Sequence, residues 1–299
     1  MEVLCPICGS GSVLMARHPE TDLYRCRRCT HAFSYLNSVR EFEQYQSSYF
    51  EEDHKRWFDH PNTPLFRHIA EVIPNGASVL DVGCGQGHFL RYLHGIRPDL
   101  RLCGIDLSNN PETDGIRFLQ GDIMLAEIPE TFDAVVSLAT IEHIADVGGF
   151  TERLRALAKP NGIVAVMTLN ESSILYGLAR AGHRLHVSLA FNRLYSRHHL
   201  NHFTRESLRT LLRGRGLIVD SEIVHNPPLA AIDIPVDGKV ADAVFRSAMW
   251  ALCKAGDLTN RSYLQTIICR APAAKTESGS SDASQSRPPT AHRQRAIGT

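Results

Sequence analysis

The apolar run Ser78-Val79-Leu80-Asp81-Val82 breaks into Gly83-Cys84-Gly85-Gln86-Gly87, then resumes with Phe89, Leu90 and Leu93 at helical spacing. A short apolar run ending in glycines reads as a buried parallel strand, and the periodicity after it as a helix. Three alternating glycines between them require a tight turn with unusual φ/ψ, in which no Cβ keeps the backbone away from a ligand. A second strand, Arg101-Leu102-Cys103-Gly104-Ile105-Asp106, ends in a carboxylate. It falls about twenty residues after the glycines, where the ribose hydroxyls of a nucleotide sit in open α/β folds. The Gly-x-Gly-x-Gly spacing is not the Gly-x-Gly-x-x-Gly of dinucleotide sites.

Strand and helix patterns then alternate: 101–106, 116–120 and 134–138 as strands, 148–158 as a helix, 163–169 as a strand. Alternation of this kind predicts an α/β fold, a parallel sheet with helices on its faces. Segment 171–200 has no strand pattern and reads as helices inserted above the sheet. Helices over 204–214 and 240–255 and strands over 217–224 and 263–269 complete the domain. The organisation read from the chain is 1–36, a small cysteine module; 37–75, a helical linker; 76–270, the main domain with its insertion 171–203; and 271–299, a tail. The tail has almost no aliphatic residues and cannot offset its ordering entropy, so disorder is expected. In the linker, Tyr45, Tyr49, Phe50, Trp57 and Phe58 pack between module and domain or form a lid.

Four of the eight cysteines stand as Cys5-Pro6-Ile7-Cys8 and Cys26-Arg27-Arg28-Cys29, with seventeen residues between the pairs. Two Cys-x2-Cys knuckles close a tetrahedral thiolate shell around zinc, and short alternating segments at Tyr24-Arg25 and Ala32–Tyr35 fit a zinc ribbon. A filled four-thiolate shell has no position for substrate, so the expected zinc is structural. The other cysteines are scattered through apolar segments, which points to a reducing, cytoplasmic setting. Lys+Arg and Asp+Glu balance at 32 each, which argues against nucleic acid as the main partner. Arg180, Arg184, Arg193 and Arg197 are nonetheless close enough in sequence to build a local basic surface. No apolar stretch approaches the ~20 residues that span a bilayer.

From Leu65 to Arg270 the chain resembles the class I S-adenosylmethionine-dependent methyltransferases. The resemblance rests on the glycine loop, Gly121-Asp122-Ile123, the strand Phe132-Asp133-Ala134-Val135-Val136-Ser137, Thr140-Ile141-Glu142-His143-Ile144, and the turn Lys159-Pro160-Asn161-Gly162, in which Asn161 replaces a glycine. It implies a Rossmann-like doubly wound sheet, mostly parallel with an antiparallel last strand, and S-adenosylmethionine as cofactor. It also implies roles: Gly83, Cys84, Gly85 and Gly87 form the cofactor loop, and Asp81 lies beside the methionine part. Asp106 would accept from the ribose, with Leu107 next to it. Asp122 and Ile123 would contact the adenine, and Leu138 would line the crevice.

The segment His199-Leu200-Asn201-His202-Phe203-Thr204-Arg205-Glu206-Ser207-Leu208 resembles small-molecule methyltransferases, ubiquinone-biosynthesis O-methyltransferases among them. Those enzymes hold a divalent cation with Glu-x-x-Glu-His. This chain has Ala139 at the first acidic position, leaving Glu142 and His143, and the loss of an oxygen ligand weakens such a site. A hydroxyl acceptor needs a base, and histidine suits that task near neutral pH. His143 is the first candidate, His199 the second, and Glu142 lies beside them. The expected substrate is a small molecule or glycan, with O-methylation favoured. An RNA methyltransferase with a zinc-ribbon module and a non-catalytic binding protein are the competing readings. The oligomeric state stays open.

Overall fold

The computed structural model describes residues 2–35, 55–110, 113–232 and 239–273. The expected lid aromatics Tyr45, Tyr49 and Phe50 and the chain beyond 273 lie outside the described residues.

Strands β1 (Ser12–Arg17), β2 (Asp22–Cys26) and β3 (Ala32–Ser34) form an antiparallel meander. Cys5 and Cys8 lie in the turn before it, Cys26 ends β2 and Cys29 lies in the turn that follows. Short helix α1 (Lys55–Asp59) is followed by α2 (Thr63–Val72), whose start is fixed by Asn62 Oδ1 accepting from the Leu65 amide and by Pro64 in the first turn. Leu65, Phe66 and Ile69 bury the inner face of α2, with the Phe66 ring 5.2 Å from that of Phe89. The C-terminal half of the expected linker is therefore part of the core.

Strands β4 (Ser78–Val82), β5 (Arg101–Asp106) and β6 (Ile116–Gln120) pair in parallel, and β4 also pairs in parallel with β7 (Phe132–Leu138), which pairs with β8 (Ala158–Leu169). Helices α3 (His88–Ile96) and α4 (Val147–Leu157) are crossovers, and α5 (Ile174–Arg184) and α6 (Leu189–Leu194) make the insertion. A two-residue strand β9 (Asn201–His202), helix α7 (Arg205–Gly214), β10 (Ile218–His225), helix α8 (Lys239–Thr259) and β11 (Leu264–Arg270) follow. The large sheet runs β10-β11-β8-β7-β4-β5-β6, with β10 and β11 antiparallel to their neighbours.

Alternation along β4 explains why both faces are covered. Val79 packs with Phe89, Leu90, Leu93 and Ile69, whereas Leu80 and Val82 pack with Phe150, Leu154, Leu208 and Leu211. Each such side chain contributes ~1.5–3 kcal/mol on burial. Asp133 ties β4 to β7 and β8 at the opposite end from the glycine loop: its Oδ2 accepts from the Ser78 amide and hydroxyl at 2.8 and 2.7 Å and from Lys159 Nζ at 2.8 Å. Asn161 takes φ +60°, a left-handed conformation that asparagine tolerates, so the glycine of the resembling turn is dispensable.

One element differs from expectation. Segment 171–200 is helical, but β9 at its end pairs antiparallel with β3, in the register Ala32 to His202 and Phe33 to Asn201. The cysteine module thus extends its own sheet with a strand of the main domain. The expected basic surface also changes: Arg180 is spent on the buried Glu171, together with Arg25 and the Tyr195 hydroxyl, and the Arg197 amide donates to Glu20.

Candidate active site

Strand order reverses between β4 and β7, and in open α/β sheets ligands bind at the carboxyl ends of the strands at such a point. There the chain leaves β4 through Gly83 (φ +70°) and enters α3 through Gly87 (φ +74°). A Cβ on Gly83 would lie 2.3 Å from Thr140 Oγ1, and one on Gly87 2.7 Å from Phe118 Cζ. The loop is pinned by backbone bonds from Gly83 and Cys84 to the Ile105 carbonyl and from Gly87 to the Cys84 carbonyl. The N-terminus of α3 has no side-chain cap.

Asp106 joins this loop to the end of β5. Its Oδ2 accepts from the Gly85 amide at 2.8 Å, and its Oδ1 from the Ser108 amide at 2.9 Å and hydroxyl at 2.6 Å. A carboxylate oxygen has two lone pairs, so Oδ1 is saturated by Ser108 while Oδ2 can accept a further bond. Asn110 Nδ2 donates to the Gly85 carbonyl at 2.7 Å. Leu107 is exposed beside them, and Cys84 and Leu138 are half-buried. At the end of β6, Asp122 Oδ1 accepts from the Met124 amide at 2.9 Å while Ile123 is buried.

Asp81 is 2% exposed at the end of β4, and its Oδ1 has no hydrogen-bond partner among the described residues. Burial, and then the charge of Asp106, push its carboxyl up to about 8. A buried acceptor left unpaired costs ~1–3 kcal/mol, so this oxygen suits a cationic donor supplied from outside. The Asp81 oxygen, the glycine turn without room for Cβ atoms and the Asp106 carboxylate together fit the amino group, backbone approach and ribose of S-adenosylmethionine.

After β7 the chain passes through Ala139 at φ +55° into a 3₁₀ turn, Ile141–His143. Glu142 is 1% exposed and accepts from Thr168 Oγ1 at 2.8 Å, and burial raises its carboxyl to about 7. His143 Nδ1 is 2.6 Å from the His198 carbonyl. A carbonyl only accepts, so Nδ1 carries the proton and Nε2 is the basic nitrogen of the neutral ring. His199 reaches the same place from the insertion, its ring centroid 5.0 Å from that of His143. The two histidines, 56 positions apart by number, are brought together.

The four cysteines cluster separately. Their sulfurs lie within 4.8 Å of one another, with Cys5–Cys29 at 3.6 Å, Cys8–Cys26 at 3.5 Å and Cys8–Cys29 at 3.6 Å. Zn–S bonds of ~2.3 Å in a tetrahedron place sulfurs ~3.8 Å apart, so the set fits zinc. None of the four is in a disulfide.

Sequence reasoning did not single out Ser108, Asn110 or Thr168. The Ser108-Asn109-Asn110 run signals a turn, but nothing in it shows which groups the side chains reach. Thr168 reads only as a strand residue.

A switch-point crevice of this construction defines the Rossmann-like class of ligand-binding α/β domains. The chain belongs to the class I S-adenosylmethionine-dependent methyltransferase family: residues 49–222, more than half its length, match the family model described as a methyltransferase domain. A ubiquinone biosynthesis O-methyltransferase of Azorhizobium caulinodans is 35% identical over 118 residues, 36% of this chain and 46% of that protein. An uncharacterized methyltransferase of Mycobacterium bovis is 39% identical over 119 residues, 36% of this chain and 58% of that protein. The chain thus spans about half the length of these curated relatives. Among solved structures, Haemonchus contortus phosphoethanolamine N-methyltransferase 2 in complex with S-adenosyl-L-methionine has a TM-score of 0.53 at 15% identity, covering 78% of this chain and 61% of that one. Burkholderia thailandensis 1,6-didemethyltoxoflavin-N1-methyltransferase has a TM-score of 0.51 at 14% identity, covering 83% and 98%. At such identities the likeness is one of fold.

Proposed function

We propose that the protein transfers a methyl group from S-adenosylmethionine to an oxygen of a small metabolite or sugar, and that Cys5, Cys8, Cys26 and Cys29 hold a structural zinc. The reading is carried by Asp81, whose buried Oδ1, without a partner among the described residues, lies next to the glycine loop and one strand away from Asp106.

When bound, S-adenosylmethionine supplies an electrophilic methyl on a sulfonium, a good leaving group. Asp81 would meet its ammonium and Asp106 its ribose hydroxyls. Gly83, Cys84, Gly85 and Gly87 would allow close backbone approach, the start of α3 would attract its carboxylate, and Asp122, Ile123, Leu107 and Leu138 would bound the adenosyl part. Holding an acceptor in line supplies ~7–11 kcal/mol of the barrier reduction. His143 Nε2 would take the proton of an acceptor hydroxyl, a general-base contribution of ~10²–10⁴ in rate. His199 shares the site as the second base candidate. Glu142, bonded to Thr168, fixes the turn presenting His143 and is itself able to hold a proton near neutrality. The O-methyltransferase name among the relatives supports oxygen as the acceptor atom.

The test is a screen of methyl transfer from labelled S-adenosylmethionine into bacterial metabolite and nucleotide-sugar pools, with RNA as a parallel acceptor. Label on an oxygen of a small compound is expected, and label only in RNA would overturn the substrate class.

A further inference from the structure

Asn201 occupies a position that the proposed chemistry leaves without a role. It lies in β9, is 3% exposed, and its backbone is opposite Phe33 of the cysteine module. Its side-chain amide makes two bonds in opposite directions. Nδ2 donates to the Ile144 carbonyl at 2.7 Å, immediately after His143. Oδ1 is 3.1 Å from Nε2 of the fully buried His31, two residues after the second knuckle. The assignment is forced: the Ile144 carbonyl only accepts, so the NH₂ faces it, the amide oxygen faces His31, and His31 donates from Nε2.

The surroundings leave the amide little freedom. Ser34 donates its amide to the Leu200 carbonyl, and Thr30 Oγ1 bonds Thr204 Oγ1 at 2.9 Å, so the module grips β9 on both sides of Asn201. The His31 ring lies 4.8 Å from that of Phe203. At the other end, the His143 Nδ1 bond goes to the carbonyl of His198, three residues before Asn201. The loop carrying one candidate base and the segment carrying the other are therefore both fastened through β9 to the cysteine module.

We propose that Asn201 is a positioning residue: it couples the cysteine module to the Thr140–Ala145 loop and so holds the His143 imidazole against the His198 carbonyl, in the tautomer with Nε2 basic. The metal-loaded module is then the anchor of the base as well as a folded appendage. This rests on His143 as the base of the proposed methyl transfer.

The experiment uses the full-length, zinc-loaded chain and needs no acceptor. Nitrogen-15 histidine spectra report the His143 tautomer, and hydrogen–deuterium exchange reports residues 140–146. In the unsubstituted protein the His143 ring is expected wholly in the Nδ1–H form. Asn201→Ala should mix the tautomers and speed exchange at 140–146 at least tenfold, with zinc content and S-adenosylmethionine affinity within twofold. His31→Gln, which keeps a donor toward Asn201, should restore most of what His31→Ala loses. Chelation of zinc from the unsubstituted chain should reproduce the faster exchange at 140–146 even if Asn201→Ala fails to fold. An unchanged tautomer in Asn201→Ala, or protection at 140–146 that survives chelation, overturns the coupling. Neither result touches cofactor binding, whose absence would defeat the methyl-transfer reading and leave the tautomer measurement valid.

Discussion

The His143 imidazole donates from Nδ1 to the His198 carbonyl at 2.6 Å, and this one bond makes Nε2 the basic nitrogen of the neutral ring. Because His199 follows the acceptor residue directly, the same contact brings the second imidazole to 5.0 Å.

His143→Ala should lower single-turnover methyl transfer by ~10²–10⁴, the usual range for a lost general base. Cofactor affinity should stay within twofold. His199→Ala should cost less than His143→Ala. Rapid-quench assays on an acceptor from the screen decide this, and equal transfer by both variants and the parent would remove the base from the mechanism.

Asp81 gives a pH signature. Its folded pKa of about 8 lies above the 3.8 of the unfolded chain. The sign follows: the cofactor-free protein has this stability in full below pH 3.8 and loses it as pH rises toward 8. Asp81→Asn should raise the melting temperature at pH 8 and change it little at pH 4, while weakening S-adenosylmethionine at least tenfold. In the parent, affinity should rise by up to tenfold per pH unit between pH 6 and 7.5, as the carboxyl must ionise to pair with the ammonium. Thermal scans and titrations at each pH check both statements.

The four sulfurs predict one zinc per chain by elemental analysis. Structural zinc contributes ~10–16 kcal/mol to small modules, so chelation should expose residues 2–35 to rapid exchange. The parallel strands β4, β5 and β7 should stay protected. Absence of stoichiometric metal would contradict the ribbon.

Much of the sheet is legible because buried strands write themselves as apolar runs, as Ser78–Val82 and Ala134–Leu138 do. The glycine loop is legible because its backbone admits no Cβ at Gly83 or Gly87. The joining of module to domain is not. Asn201–His202 is too short a strand for any period to show, and its partner at Ala32–Phe33 is some 170 positions away. Asp133, legible as part of a motif strand, proves to clamp the far end of the sheet through Ser78 and Lys159. Side-chain bonds such as Asn201 to Ile144 leave no trace in composition or spacing, because only the fold brings their partners together.

The most direct test of the whole account is a calorimetric titration of S-adenosylmethionine into the unsubstituted chain and into Asp106→Ala. Binding at one molecule per chain is expected, weakened at least tenfold in the variant, in keeping with hydrogen bonds to a charged group worth ~1.5–3 kcal/mol. No binding to the unsubstituted chain, or equal affinity in the two proteins, would contradict it.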